Sequence, residues 1–193
     1  MADCRLSVSE EKQALRRELR QKRAAATSLE AAQRLAAVFD KGLSLPPEAL
    51  VAGYSAVGDE IDPRPLMESL TQRGHRLCLP CTTPDGEALS FRAYGLKDML
   101  RIGAWLIPEP MPDAPLVVPD VLLVPLLGFD REGYRLGQGG GYYDRTLAAL
   151  RKQGGCLSVG LAYAAQEVEV LPVEAHDAKL DAVVTEARLI LFP

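Results

Sequence analysis

Hydrophobic and polar positions follow two rhythms along this chain of 193 residues. Between residues 10 and 26, Leu15 and Leu19 recur at helical spacing, and Ser7 with Glu10 has the spacing of a capping box. Lys12, Arg16, Arg20 and Arg23 follow one another at steps of four and three, so they share one helical face. A charged face of this kind is ordinarily solvated, which is the expectation for Arg20 and Arg23. A second helix is expected over residues 28–41, capped by Thr27 and Glu30, with Leu35 and Phe39 inward and Gly42 ending it. Leu50 to Tyr54 reads as a short strand, followed by a helix from Pro63 or Pro65 to Arg73 that Gly74 stops.

Arg76 to Leu79 and Leu89 to Tyr94 read as strands, and Pro84-Asp-Gly86 between them predicts an antiparallel pair. The proline-rich residues 106–119 lack periodicity and read as a crossing loop. Val121 to Leu127 is a continuous apolar run, suited to a strand covered on both faces. Tyr142 to Gln153 predicts a helix with Leu147 and Leu150 on its inner side and Gly154-Gly155 as its stop. Further strands fall near Leu157–Leu161 and Asp181–Val184, with a Glu/Val-rich segment between them. This alternation points to one α/β domain spanning residues 1–193, a three-layer α/β/α sandwich around a mixed, mostly parallel sheet.

Composition narrows the function classes. Charged residues make up 25% and hydrophobic ones 48%, as in a soluble globular protein. A net charge of −4 argues against a general nucleic-acid binder. No apolar run approaches the length of a membrane span. The N-terminus has no apolar core and carries Asp3, Glu10 and Glu11, so no secretory signal is expected and the cytoplasm is the default compartment. Cys4, Cys78, Cys81 and Cys156 are too few and too scattered for a disulfide scaffold. Cys78-Leu-Pro-Cys81 has the spacing of redox and zinc sites, but a redox pair wants a helix N-terminus and these thiols fall on a strand. Two ordinary reduced cysteines are expected.

The chemistry concentrates in Arg135-Leu-Gly-Gln-Gly-Gly-Gly-Tyr-Tyr-Asp-Arg145. Gly137, Gly139, Gly140 and Gly141 free the backbone for close approach to a ligand. Arg135 and Arg145 flank them, and Asp144 supplies an acid able to hold a cation. Strand, glycine loop and helix N-terminus together form an anion site, because unpaired N–H groups and the helix dipole point the same way. The Walker pattern fails, since Gly128 and Gly133 are followed by Tyr-Arg, and Tyr142 occupies the third glycine position of the dinucleotide fingerprint. A tight structural turn without ligand is the plain alternative.

The loop, preceded by Pro-Leu-Leu-Gly-Phe-Asp130, resembles the signature of the 5-formyltetrahydrofolate cyclo-ligases, also called methenyltetrahydrofolate synthetases. Lys12-x-x-Leu15-Arg16, Asp59-Glu60-Ile61 and His176-Asp-Ala-Lys-Leu-Asp181 agree with that family, so the resemblance covers nearly the whole chain. Gln138 departs from it, standing where relatives often carry Tyr or a basic residue.

The resemblance implies ATP- and Mg²⁺-dependent closure of 5-formyltetrahydrofolate to 5,10-methenyltetrahydrofolate by a monomer that acts on small molecules, not on nucleic acid or membranes. It implies that ATP meets Lys12, Arg16, Arg135, Leu136, Gly137, Gln138, Gly139, Gly140, Gly141, Tyr142 and Tyr143. Asp144 and Asp177 would bind Mg²⁺, with Asp181 the competing choice. Glu60 would recognise folate, joined by Ser55, Trp105, Tyr142 and the loop from Gln138 to Gly141. Trp105 serves equally well as a core aromatic. Arg145 would neutralise the transferring phosphoryl group, with a surface salt bridge as its alternative, and Tyr143 stands beside it as a second catalytic candidate. A non-catalytic nucleotide- or folate-binding relative and a Cys78/Cys81 thiol oxidoreductase are the rival readings.

Overall fold

The computed structural model describes residues 7–83 and 87–193. Cys4 and the turn expected at Pro84-Asp-Gly86 lie outside them. Helix α1 (Val8–Ala26) starts at Ser7, whose hydroxyl accepts from the Glu10 amide while the Glu10 carboxylate accepts from the Ser7 amide, so the capping box forms. Helix α2 (Leu29–Gly42) is capped by Ser28 and not by Thr27: the Ser28 hydroxyl accepts from the Ala31 amide at 3.0 Å. The Thr27 hydroxyl instead donates to the carbonyls of Arg23 and Asp59, tying the end of α1 to a loop far away in sequence.

The strands β1 (Leu50–Ala52), β2 (Arg76–Cys81), β3 (Ser90–Tyr94), β6 (Leu116–Val117), β7 (Val121–Pro125), β10 (Leu157–Leu161), β11 (Ala182–Val184) and β12 (Leu189–Leu191) form one sheet. Its order is β12-β11-β10-β7-β1-β2-β3-β6. The inner run from β11 through β2 is parallel throughout, and β12 and β3 run the other way. β3 pairs antiparallel with β2 as expected, with Cys78 opposite Ala93. The proline-rich stretch is not only a crossing loop. Its Pro108–Pro110 forms β5, which pairs with β4 (Leu100–Ile102), and Leu116–Val117 is β6. Proline lacks the amide for an interior ladder but suits such short edge pairings.

Helices cover both faces. Helix α2 and helix α3 (Arg64–Gln72) bury Leu35, Phe39, Leu66 and Leu70 against Val51, Leu123 and Val159 on one side. Helix α4 (Tyr142–Lys152) buries Leu147 and Leu150 against Leu122, Val124 and Val183 on the other. Cutting Leu147 back to Ala, at a fully buried position, would cost about 2–5 kcal/mol. Helix α1 packs Leu19 against Leu127, Leu136 and Leu171. Gly128 makes room for it, since a Cβ there would come within 2.5 Å of Leu19. The carboxyl ends of the parallel strands share one edge, the usual place for a site in an open α/β sheet.

Candidate functional site

The glycine loop leaves that edge. After β7 the chain makes a hairpin, β8 (Gly128–Phe129) with β9 (Arg135–Leu136), and β9 delivers Arg135 to the loop start. Gly139 (φ +112°) and Gly141 (φ +67°) hold left-handed backbone, which lets the chain turn sharply into α4. The amides of Gly137 to Gly141 donate to no acceptor among the described residues, so they remain open at the start of α4.

Cations and acids surround this loop in pairs. Buried Arg135 donates to Asp144 at 2.8 Å and to the Ala178 carbonyl. Burial lowers the pKa of its guanidinium, and Asp144 offsets only part of that. The same Asp144 oxygen accepts from the Ala178 amide at 3.1 Å. Lys12, only 6% exposed, donates to Asp177 at 2.6 Å and to Glu174 at 2.7 Å. Burial opposes the Lys12 charge, but hydrogen bonds to Asp177 and Glu174 outweigh it and raise the pKa. Burial likewise opposes the Asp177 carboxylate, and the hydrogen bond from Lys12 with that from the Glu174 amide still holds its pKa down. Glu174, His176 and Asp177 bring ligand atoms within 4.8 Å of one another. Asp181 is committed elsewhere, accepting from the amide and hydroxyl of Ser158.

Helix α1 lies alongside. Arg16 donates to the Gly137 carbonyl at 2.9 Å, and Arg20 to Gln138 at 3.0 Å, so Gln138 links the loop to the helix. Arg16, Arg17, Arg20, Gln138 and Gly139 line a groove of about 470 Å³. Arg145 forms no surface salt bridge among the described residues. It reaches back to the Gly140 carbonyl at 2.7 Å and lies 5.0 Å from the Tyr142 ring centre. Trp105 meets Tyr142 edge to face at 5.3 Å and is 64% exposed, which rules out a core role.

A cavity of about 480 Å³ opens nearby, lined by Tyr54, Ser55, Glu60, Met67, Tyr94 and Tyr163 among others. Ser55 donates to the Pro108 carbonyl at 2.8 Å, fixing the β5 edge over it. One Glu60 oxygen accepts from the Val57 amide at 3.0 Å, and the other faces Arg23 at 3.6 Å. Burial raises the Glu60 pKa against the pull of that amide and of Arg23. Burial and the nearby Glu60 charge raise the Tyr143 hydroxyl far above its ordinary value, so it stays a neutral donor next to the loop.

One sequence expectation changes here and another is met. Arg20 is exposed as expected, but Arg23 is 4% exposed and donates to Asp59 at 3.0 Å. Lys12, Leu19 and Arg23 stand at helical steps of seven and four and share the buried side of α1, yet spacing alone also places Arg23 with the charged Lys12, Arg16 and Arg20 stripe. Glu174, the second partner of Lys12, carried no signal. Cys78 and Cys81 are both buried in β2, three positions apart and therefore on opposite faces of the strand. Burial pushes the Cys78 thiol up to about 12 and raises Cys81 too, so neither is a ready thiolate.

The profile of the 5-formyltetrahydrofolate cyclo-ligase family matches residues 8–186. The chain belongs to this family. It is 36% identical over 179 residues to the 5-formyltetrahydrofolate cyclo-ligase of Escherichia coli K12, covering 89% of this chain and 98% of that protein. The corresponding enzyme of Haemophilus influenzae is 34% identical, with coverage of 89% and 96%. The solved structure of Aquifex aeolicus 5,10-methenyltetrahydrofolate synthetase superposes with a TM-score of 0.74 at 34% identity, covering 93% of this chain and 92% of that one. The chain is thus an enzyme of the ligase class, and the matched residues include α1, cradle and cavity. No helix among the described residues is long and apolar enough to cross a membrane.

Proposed function

We propose that the protein closes 5-formyltetrahydrofolate to 5,10-methenyltetrahydrofolate in an ATP- and Mg²⁺-dependent reaction. The observation that carries this reading is an open-amide cradle ringed by paired charges, together with a cavity lined by the partly open carboxylate of Glu60. A polyphosphate suits the first, and a flat heterocycle with an N–H donor edge suits the second.

Arg135, Lys12, Arg16, the segment from Leu136 to Tyr142 and Tyr143 hold ATP. The N5-formyl oxygen attacks the γ-phosphorus and ADP departs. N10 of the same folate then attacks the formyl carbon; the C–O bond breaks, phosphate leaves, and N10 gives up its proton. N10 is tethered in the same molecule, so holding the geometry supplies much of the rate. Arg145 neutralises the moving phosphoryl charge, and neutral Tyr143 donates toward it. Glu60 accepts from the pterin, while Ser55 and Trp105 border the folate.

Asp144 and Asp177 are hard oxygen donors that fit Mg²⁺. Each has one oxygen taken by protein N–H groups and a second with no N–H donor in hydrogen-bond reach among the described residues. A magnesium ion bound there would draw charge from the phosphate oxygens. Lys12 and Arg135 would then be free to turn toward the nucleotide. The net charge of −4 fits an enzyme of small molecules and not of nucleic acid, and the reading takes it as a cytoplasmic monomer of one domain.

The test is spectroscopic formation of methenyltetrahydrofolate from 5-formyltetrahydrofolate. Absorbance should grow only with ATP and Mg²⁺ together, one ADP appearing per product. Product formation without ATP would overturn the reading.

A further inference from the structure

Arg23 does not line the cavity itself but is buried 3.6 Å from Glu60, which does, inside a network that no single element supplies. From α1 its Nε and one Nη donate to the same Asp59 oxygen. Its other Nη lies 3.5 Å from the Leu126 carbonyl and 3.6 Å from Glu60. The Gln166 amide group donates to that Leu126 carbonyl at 2.8 Å and to the Leu127 carbonyl at 3.0 Å, locking the strand end from the opposite side. The fork is therefore fixed by Asp59 and not by Glu60. A gap of 3.6 Å gives Coulomb attraction without using up the acceptor. Glu60 keeps one oxygen for a ligand, with its charge supported from behind.

Resting on the reading of Glu60 above, we infer that Arg23 is a positioning residue for substrate: it keeps Glu60 an open, ionised acceptor facing the cavity. Burial alone pushes Glu60 toward the protonated form, which would offer an O–H where the pterin offers N–H groups. The charged and titratable groups around Glu60 are few. Arg23 comes from α1, Tyr54 follows β1, Tyr143 belongs to α4, Tyr163 follows β10, and Asp59, Asp62 and Arg64 share its own loop and the turn into α3. Of these only Arg23 is a cation at ion-pair distance from Glu60 among the described residues. A cation this close lowers a carboxyl pKa by about 1–3 units.

The experiment measures KM for 5-formyltetrahydrofolate and for ATP, with kcat, from pH 5.5 to 8.5 in wild type, Arg23→Met, Arg23→Lys, Glu60→Gln and the Arg23→Met/Glu60→Gln double variant. In Arg23→Met the folate KM should rise about tenfold or more, with ATP KM and kcat within about threefold. The pH below which folate KM climbs should move up by about one unit, because Glu60 loses its nearby cation. Arg23→Lys keeps the charge and should keep the wild-type pH profile, while its lost fork raises KM by a smaller factor. With Glu60→Gln nothing titrates there, so adding Arg23→Met should cause little further loss.

A profile for Arg23→Met that superposes on wild type, or fully multiplicative losses in the double variant, would overturn the inference. If Arg23→Met does not fold, Arg23→Lys decides, and an unchanged folate KM there counts against it. If Glu60→Gln leaves folate KM untouched, the substrate reading of Glu60 fails first, a distinct result.

Discussion

In the cradle each buried cation lies against a carboxylate: Lys12 is 2.6 Å from Asp177, and Arg135 is 2.8 Å from Asp144. In the cavity Glu60 faces its cation at 3.6 Å and keeps an oxygen open, while Asp59 holds that cation. The two regions handle charge in different ways. The cradle neutralises itself before any ligand arrives, so a polyanion and its metal must exchange partners with groups already paired. The cavity is set in advance, so a ligand only has to match it. Binding in the cradle should therefore depend on both acids as well as on the cations, whereas recognition in the cavity should rest on one acceptor and its support.

The sharpest way to break this contrast is Asp144→Asn, which retains an acceptor for Arg135 but removes the charge. Turnover should fall by about 10²–10³-fold, a loss typical of removing one transition-state charge partner. The melting temperature should also fall, because the buried Arg135 guanidinium loses its counter-charge, so turnover is compared per folded enzyme at a temperature where the variant stays native. Wild-type turnover would take Asp144 out of the cradle chemistry. Next in size, Glu60→Gln should raise the folate KM by about 10–100-fold, since it puts a donor where the ligand offers donors. ATP KM should hold within about twofold, and equal losses for both substrates would erase the distinction between the regions.

A smaller effect is expected from Gly141→Ala. Its φ of +67° and a Cβ 2.6 Å from the Arg145 guanidinium strain the loop. The left-handed cost of about 1–2 kcal/mol should appear as a several-fold rise in ATP KM, read by steady-state kinetics. Folate KM should rise less than ATP KM. The smallest effect belongs to Cys78→Ala with Cys81→Ala, where turnover should stay within about twofold. In native wild type at pH 8, Cys78 should resist a thiol reagent until denaturant is added, because its pKa of about 12 leaves almost no thiolate. Abolished turnover would revive a thiol mechanism.

Much of this fold could be read from local rules. Ser7 with Glu10 and the apolar run at Val121 both dictate their elements through neighbours within a few residues. Thr27 misled because Ser28 beside it offers the same hydroxyl, and only the path of the Asp59 loop decides which one caps the helix. The short strands at Pro108 and Leu116 were missed because proline-rich sequence shows no alternation, and their pairing comes from β4 and β3. The glycine cradle was legible because its backbone, flanking arginines and Asp144 are contiguous. The placement of Arg23 was not, since a cation on a helix face is solvated or buried according to what packs against it.

By itself, then, the sequence determined the periodic helices, the parallel apolar strands, the glycine loop and the family to which they belong, because these rest on short-range spacing and residue type. Only the tertiary structure decided which charges pair. Asp177 met Lys12, Asp59 took the Arg23 fork, and Glu60 was left with a free oxygen, through contacts across 165 and 36 positions of chain for the first two. Burial strengthens such contacts and sets their pKa values, and burial is a property of packing that no local spacing encodes.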